Sequence, residues 1–437
     1  MATARPLASA TFLLAFAATA LHAQDVVELP SRDRMIEPAF EEVYRVGVLD
    51  GESWEMFGRI RRVAFDAEGN LYVFDASDAM GSDLRVLVFD AAGGFTREFG
   101  SSGQGPGEFN RPAGFAVLRD GTVVVSDAGH GAYQVFDRSG VFQRMVRAGD
   151  EPGSTPGILG NVQPDPRGGA VFVGGYGRGP SIGFRLGGAG SAIAPPTSRP
   201  VMRIGLGDEV AQPDTVVDGW LPPRNELDLP TDVPAQLRDM MGGMSLPTQF
   251  EPRLLVGTLP DGGIVHSDSS AYALKVTPPG ATEAARVIQR PLRPEPLTPE
   301  VRQEYEERVA AAREEAGQAA GAAGLRMMQF QRRGQGGNPT QTASFQLEQR
   351  YYHEVPVLRG LAVTWDSRIW VQRRGEFPES DGPIDVVTVG GDYVGTYATD
   401  ATRMPDAFGP DGLAAFIELD DFDVARVVVR RLPADVR

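Results

Sequence analysis

The chain has 437 residues and no cysteine, which excludes disulfides, thiol chemistry and cysteine-based metal sites. Its 58 acidic and 42 basic residues give a formal net charge of -16. Because a surface this acidic repels nucleic acid and anionic lipid, we expect no nucleic-acid partner. We also expect a monomer.

The first 23 residues have the pattern of a secretory signal peptide. A single charge, Arg5, precedes an apolar run from Thr11 to Ala20. That run is too short to span a membrane, and no other segment approaches 18 uninterrupted apolar residues. We predict an exported protein, periplasmic or extracellular, with a single domain over 24–437.

The segment after the signal peptide repeats a unit of four short strands. Residues 60–99 and 112–146 each contain four runs rich in Val, Phe, Tyr and Leu, separated by D-x-x-G or D-G turns. Weaker copies occupy 159–174, 253–276 and 358–397, and a partial copy with two strands lies at 411–432. Four strands per about 40 to 50 residues predict the blade of a β-propeller.

Two strand candidates near the start of the mature chain, DVVELP and EEVYRVGVLDG, have no unit of their own. A ring of blades has no free edge only when its last blade is complete. We therefore predict an all-β, six-bladed propeller whose last blade is closed by the N-terminal strands. Five or seven blades are the nearest alternatives.

Long connections between strands are predicted on one face of the propeller only. Turns after the first and third strands are short, whereas the connections after the second and fourth strands contain the insertions 207–250 and 291–354. One exception is the stretch 187–200, which we expect to lengthen a turn between a third and a fourth strand. We call the face with the insertions the loop-rich face.

Both insertions are predicted to contain helix. Thr298-Pro299-Glu300 has the residue types of a helix start, in an insertion that is helical at first and of low complexity later. A second short helix is expected at 232–241. We interpret both helices as lids over the loop-rich face.

The run GQGPGEFNRPAGFAVLRDGTVVVSDAGHGAYQVFDRSGVFQRMV resembles the NHL-type repeat of bacterial six-bladed β-propeller proteins. In that repeat a G-x-G-x-G-P-G-E-F segment leads into P-x-G, then D-G, a strand that ends in S/A-D, and a V-F-D-x-x-G turn. The resemblance is close over 60–148 and weaker at 250–280 and 355–397. It implies the fold and leaves the function open, because related propellers include lyases, lactonases and interaction scaffolds.

The crossing GSSGQGPGEFNRP, residues 100–112, has the glycine density of a phosphate-binding loop. A Walker loop requires Lys and Ser/Thr after its last glycine and a helix behind them. Here Gly107 is followed by Glu108 and soon by a strand, so we interpret the segment as a connection between blades. Glu108 and Arg111, at the mouth of the ring, are kept as candidate binding residues.

Three aspartates, Asp75, Asp127 and Asp268, end the second strands of predicted blades, where two other blades have Gly175 and Arg373. We expect each aspartate to accept backbone hydrogen bonds in the turn that follows. Because the position lies on the loop-rich face, a ring of carboxylates that holds a polar ligand or a divalent cation such as calcium is the alternative.

The histidines outside the signal peptide, His130, His266 and His353, map to the same face. A metal site shared by all three is an alternative, although no spacing rule is met and His266 aligns with valines expected to be packed. Trp54 is expected to pack between blades. The alternative is that its ring forms part of an aromatic rim that contacts a ligand. The candidate binding residues are Trp54, Asp75, Glu108, Arg111, Asp127, His130, Tyr176, Asp268 and Arg373.

Nothing in the sequence supports nucleophilic catalysis, since cysteine and a G-x-S-x-G elbow are absent. The presence of long loops on one face only favours a binding function, because binding residues are often found on loops held by a rigid scaffold. We predict a non-catalytic propeller, without a cofactor, that binds a protein, peptide or glycan on its loop-rich face. The alternative is a lyase or hydrolase with a divalent metal at the axis, using Asp75, Asp127, Asp268 or His130.

Overall fold

A computed structural model of the protein describes residues 24–76, 83–149, 162–174, 197–223, 248–315, 325–332 and 341–437. The predicted signal peptide, the predicted helix at 232–241 and Tyr176 lie outside the described residues. Within the described ranges the chain is all-β apart from one α-helix and a 3-10 turn at Pro410–Gly412, and its strands form six blades of a propeller.

The first half of the described chain contains the first three blades. Two strands, β1 (Asp25–Glu28) and β2 (Glu41–Val46), precede them. Blade one contains β3 (Arg59–Phe65), β4 (Leu71–Ala76), β5 (Leu84–Phe89) and β6 (Phe95–Phe99). The crossing contains the parallel pair β7 (Ser101–Ser102) and β8 (Glu108–Phe109). Blade two contains β9 (Pro112–Val117), β10 (Val123–Asp127), β11 (Ala132–Phe136) and β12 (Phe142–Arg147), and blade three contains β13 (Val162–Pro164), β14 (Ala170–Val173), β15 (Ser198–Gly205) and β16 (Pro213–Trp220).

The second half completes the ring. Blade four contains β17 (Leu255–Thr258), β18 (Ile264–Ser267), β19 (Ala273–Thr277) and β20 (Arg286–Gln289). An insertion follows with β21 (Glu295–Pro296), α1 (Pro299–Glu315), the hairpin of β22 (Leu325–Arg332) and β23 (Gln341–Glu348), and β24 (Glu354–Val355). Blade five contains β25 (Leu358–Val363), β26 (Arg368–Arg374), β27 (Asp381–Thr388) and β28 (Tyr393–Tyr397), and blade six contains β29 (Ala407–Phe408), β30 (Leu413–Leu419) and β31 (Ala425–Arg431).

The first strand of each blade lies innermost, as the sequence predicts. Around the axis β3 contacts β9, β9 contacts β13, β13 contacts β17, β17 contacts β25, and β29 contacts β3. The ring is closed from the N-terminus, because β2 pairs with β31 as the outermost strand of blade six, with Val46 opposite Val427. The predicted closure is therefore confirmed.

The closure uses one N-terminal strand, whereas two were predicted. The C-terminal segment supplies three strands of blade six, since β29 is its inner strand, so only the fourth position is left for β2. Strand β1, the DVVELP candidate, instead runs parallel to β20 as a fifth strand of blade four, and Asp25 binds Arg286 at 2.8 Å. Blade four thus gains an extra outer strand.

The core consists of six hydrophobic layers between neighbouring blades in the described part of the chain. The layer between blades six and one shows the closure, because Val46 and Val427 pack there with Val63 and Leu71. Burial of apolar surface between blades is what holds such a ring together, since the molecule has no disulfide.

The D-x-x-G turns explain why the repeat is visible in the sequence. Asp66 Oδ1 accepts the N–H groups of Glu68 at 3.1 Å and Asn70 at 2.9 Å, and Gly69 takes the left-handed conformation with φ of 81°. The turn at Asp137 and Gly140 has the same arrangement. Aspartate at the first position and glycine at the fourth are therefore local requirements of the turn.

Blade three corrects two predicted boundaries. Residues 213–220, placed inside the insertion 207–250, form β16 and pair with β15, so this connection begins after Trp220. The stretch 187–200 does not lengthen a turn between the third and fourth strands, because Ser198–Gly205 is itself the third strand. The long connection of this blade therefore joins its second and third strands.

Helix α1 begins where the sequence predicts. The Thr298 hydroxyl accepts the Val301 N–H at 3.4 Å, and Pro299 occupies the first helical position. No residue of α1 is buried, and the helix rests on loops through Arg308, which lies 4.1 Å from the Phe377 ring and 2.7 Å from Glu379. This is the one α-helix in the described chain, so within the described parts of the insertions helix is limited to α1.

Candidate functional site

The Gly-rich crossing from blade one to blade two is held by two side chains of blade two. Asp127 Oδ2 accepts the N–H of Asn110 at 2.7 Å, and Gln134 Oε1 accepts the N–H of Gly107 at 3.0 Å. Gln134 also donates to the Glu108 carbonyl at 2.5 Å and to Asp127 at 3.0 Å. Blade two therefore fixes the backbone of the crossing.

The glycines of the crossing are required by close approach. Gly100 has φ of 79°, and a Cβ there would lie 2.4 Å from the Phe109 ring. A Cβ at Gly103 would lie 2.0 Å from the Glu108 carboxylate. At Gly100 the positive φ and the buried Phe109 ring exclude a larger residue, so this glycine serves the connection between blades, whereas the Glu108 side chain at Gly103 is flexible and can move aside.

The crossing forms one wall of a cleft of about 490 Å³ on the loop-rich face of blade one. Its lining includes Arg61, Leu84, Gln104, Phe109, Asn110 and Arg111. Leu84 and Phe109 are almost fully buried and give the cleft an apolar floor, whereas the arginine and amide side chains form a polar rim. A volume between roughly 300 and 1,000 Å³ is typical of small-molecule sites.

Two guanidinium groups line the cleft. Arg61 and Arg111 are exposed, and neither side chain makes an ion pair or hydrogen bond with a described residue. No acidic residue is among the described lining residues. The nearest acid of the crossing, Glu108, has its carboxylate occupied by the Gly105 N–H at 2.7 Å.

Arg111 has an unusual backbone. Its φ of 62° places it in the left-handed region, which is uncommon for residues other than glycine, asparagine and aspartate. Its carbonyl accepts the Ala128 N–H at 3.2 Å, and the next residue, Pro112, starts the inner strand β9. The strained turn thus sets the direction of the Arg111 side chain at the cleft.

Asp75 and Asp127 are fully buried and are satisfied within the propeller. Asp75 accepts the Arg59 N–H at 3.0 Å and binds Arg85 at 3.2 Å, while Asp127 accepts the Gly129 N–H at 3.0 Å in addition to that of Asn110. The predicted backbone hydrogen bonds from the following turn are present at Asp127, whereas the backbone donors to Asp75 are Gly58 and Arg59, outside that turn. The donors come largely from the segment ahead of the inner strand, which sequence alignment alone did not indicate.

The residue at the end of the second strand is acidic in blade four and basic in blade five. In blade four Asp268 accepts the Trp220 N–H at 2.8 Å and binds Lys275 at 2.7 Å. Burial opposes ionisation of Asp268, but Lys275 and this N–H group hold its pKa below the usual value. In blade five the position holds Arg373, and Asp385 on the third strand lies 3.5 Å from it.

Arg373 is therefore part of a buried ion network. Its Nη2 lies 2.8 Å from Asp33, and only 8% of the residue is exposed. Burial raises the pKa of Asp33, but Arg373 and Arg290 outweigh it and leave that pKa below the usual value. A residue paired in this way is not available to a ligand.

The three histidines lie in separate surroundings. His130 Nδ1 lies 2.9 Å from Asp127, His266 is buried between Val256 and Lys275 within blade four, and His353 is exposed. In the part of the chain that the structure describes, no group of three or more His, Asp or Glu side chains is placed to hold a metal. The geometry gives no support to the metal alternatives.

Trp54 packs against blade one. Its ring stacks on Phe95 at 4.8 Å, and it joins the layer between blades six and one. Of the predicted residues, Glu108, Arg111, Asp127 and His130 meet at the crossing, whereas Asp268 and Arg373 lie in blades four and five. The sequence interpretation missed Arg61 and Gln104, although RIRR at 59–62 is a notable basic run in so acidic a chain.

Comparison with known proteins agrees with this architecture. A family model described as DUF5128, 6-bladed beta-propeller, matches residues 43–148, which include blades one and two. No curated protein is similar to the chain in sequence.

Several solved structures match the chain at low identity and low TM-score. A candidate exported protein of Bacteroides fragilis is 9% identical, with 93% of this chain and 99% of that chain covered and a TM-score of 0.45. A DUF4221 family member of Bacteroides vulgatus is 9% identical over 92% and 99%, with a TM-score of 0.44. Regucalcin of Agrobacterium tumefaciens, a calcium-binding protein, is 13% identical over 95% and 100%, with a TM-score of 0.36.

Among the described residues, no helix has the length and apolar character that crossing a membrane requires.

Proposed function

We propose that the chain is an exported, non-catalytic propeller with NHL-type repeats. It binds a small ligand in the cleft of which the crossing forms one wall, which we call the crossing cleft. The observation that carries the proposal is the cleft itself, which combines a volume of about 490 Å³ with a buried apolar floor and a polar rim that is free of ion pairs in the described chain. Concave sites with an apolar lining and few polar groups are the usual form of a ligand site.

The position of the cleft supports the same proposal. It lies at the loop-rich face, beside the start of the inner strands β3 and β9, where Arg61 and Arg111 are carried by rigid blades. Binding residues on a rigid scaffold lose little conformational entropy when a ligand arrives. Export is supported by the pattern of residues 1–23.

An enzyme is the weaker alternative. Asp75, Asp127 and Asp268 each bind donors from their own or the adjoining blade, so they lack free positions for a metal or a substrate. His130 and Asp127 form an imidazole–carboxylate pair at 2.9 Å, but no nucleophile is hydrogen-bonded to this pair among the described residues. Binding without catalysis requires none of these groups.

Filling the cleft should abolish binding. A Gln104→Trp substitution adds a large side chain to the rim without changing charge. We would measure the melting temperature of the full chain with oligogalacturonate, maltotriose or trialanine. At least one probe should stabilise the wild type, by about 2.7 kcal/mol at roughly 100 times its Kd. The Gln104→Trp variant should not respond.

The matched control is Gln143→Trp, at an exposed glutamine of β12. This residue lies beside a short turn on the face of the propeller opposite the loop-rich face. This variant should respond to the same probe as the wild type does. Equal stabilisation of wild type and Gln104→Trp, or no response of the wild type to any of the three probes, would contradict the proposal.

A further inference from the structure

We propose that the ligand of the crossing cleft is a sugar acid, whose carboxylate is bound by Arg61 and Arg111. The inference rests on the proposed function and adds the chemical class of the ligand.

The two guanidinium groups of the cleft are opposite in sign to the net charge of the molecule. The chain carries -16 overall, and many of its arginines are bound to acids, as in the pairs Arg286–Asp25 and Arg359–Asp381. Arg61 and Arg111 have no such partner in the described chain, and both line the same cleft. Two unpaired cations at one concave site predict an anionic ligand.

Most backbone N–H groups of the crossing are not available for a phosphate, although those of Gln104 and Arg111 have no acceptor among the described residues. Phosphate loops bind through free backbone N–H groups, often at a helix N-terminus. Here each of the following N–H groups already has an acceptor within the protein. They belong to Gly103 (3.1 Å to the Phe109 carbonyl), Gly105 (2.7 Å to Glu108), Gly107 (3.0 Å to Gln134), Glu108 (3.1 Å to the Gly105 carbonyl) and Asn110 (2.7 Å to Asp127).

Recognition of an anion therefore falls mainly to the two guanidinium groups. A guanidinium presents two parallel N–H donors that match the two oxygens of a carboxylate. The apolar floor of Leu84 and Phe109 lowers the local dielectric, which strengthens this attraction. A carboxylate is thus the anion best suited to the cleft.

The rest of the rim suits hydroxyl groups. The amides of Gln104 and Asn110 each offer both donors and an acceptor, and a hydroxyl can pair with either kind of group. A volume of about 490 Å³ accommodates one or two sugar rings. A carboxylate combined with several hydroxyls on a ring of that size describes a uronate.

Calorimetric titration of the full chain with galacturonate and with digalacturonate tests the inference. Both probes should bind the wild type, and affinity should fall at high salt because the attraction is electrostatic. Arg61→Gln and Arg111→Gln should each weaken binding about tenfold or more, as expected for the loss of a charged hydrogen-bonded pair. Arg138→Gln makes the same charge change at an exposed arginine on the face opposite the loop-rich face. This variant should leave the Kd for both probes unaltered.

Neutral and inorganic probes separate the alternatives. Galactose, which has the same ring without the carboxylate, should not bind, and inorganic phosphate should not displace galacturonate. If galactose or phosphate binds as tightly as galacturonate, or if the two glutamine variants keep wild-type affinity, the sugar-acid inference is wrong. The proposed function then still stands if the Gln104→Trp variant loses the response.

The source of the sugar acid is read from the same titrations. Tighter binding of digalacturonate than of galacturonate would support the end of an acidic glycan, and equal affinity would support a free sugar acid. If the wild type binds neither probe while Gln104→Trp removes the response to maltotriose or trialanine, the inference fails and the proposed function does not.

Discussion

Replacing Arg290 by methionine should lower the free energy of unfolding by about 3 to 5 kcal/mol, because it leaves a buried carboxylate without its main partner. Arg290 is fully buried, with Nη1 at 2.8 Å from the equally buried Asp385 and Nη2 at 2.6 Å from Asp33. Its Nε donates to the Pro30 carbonyl at 2.9 Å. Burial disfavours the cation, yet Asp385 raises the pKa of Arg290, so the residue is charged at any accessible pH.

The network also ties the N-terminal segment to the ring. Asp33 bridges Arg290 and Arg373, which belong to blades four and five. Loss of Arg290 should therefore loosen residues 29–34 as well as the interface between these blades. Urea unfolding and amide hydrogen exchange of the segment would measure the two effects separately.

Two variants test the explanation. Arg45→Met breaks an exposed pair with Glu42 and should cost less than about 1 kcal/mol. The double variant Arg290→Met and Asp385→Leu should recover part of the loss, because both buried charges are then removed together. If Arg290→Met costs no more than Arg45→Met, the buried network does not hold the blades together as described.

Acid should destabilise the protein through His266. Burial lowers the pKa of His266 to about 4, against an unfolded value of 6.5, so the unfolded state binds a proton more readily than the folded state. This contribution to stability is complete above about pH 6.5 and is lost as the pH falls towards about 4. The loss should reach about 2 kcal/mol near pH 5 and about 3 kcal/mol below pH 4.

A His266→Val variant, which restores the residue type found at the equivalent Val73 and Val125, should remove this pH dependence. Denaturant unfolding of the variant and the wild type near pH 7 and near pH 5 gives the difference between the two slopes. The control is His353→Val, at an exposed histidine, which should behave as the wild type does. Equal acid sensitivity of His266→Val and the wild type would show that another group is responsible.

The parts of the fold that could be predicted are those set by local chemistry. Each D-x-x-G turn is built from its own aspartate and glycine, as at Asp66 and Gly69, so the blade repeat is visible without any knowledge of tertiary contacts. The helix start at Thr298 is predictable for the same reason. Three glycines of the crossing are local in the same sense, because a Cβ at Gly100, Gly103 or Gly105 would meet Phe109 or Glu108 of the crossing itself.

What could not be predicted depends on contacts between distant residues. Strand β1 could have joined any open edge, and its place beside β20 follows from pairing across about 260 residues. The partners of Arg373 are Asp33 and Asp385, and the alignment of second strands contains no information on either. Arg61 belongs to the cleft only because the crossing folds back beside β3.

The central claim is that the crossing cleft binds a ligand through Arg61 and Arg111, and a crystal structure of the full chain grown with digalacturonate tests it most directly. We predict the carboxylate within hydrogen-bond distance of both guanidinium groups, with the ring above Leu84 and Phe109. Digalacturonate bound at another surface, or a cleft occupied by water alone at saturating concentration, would contradict the account.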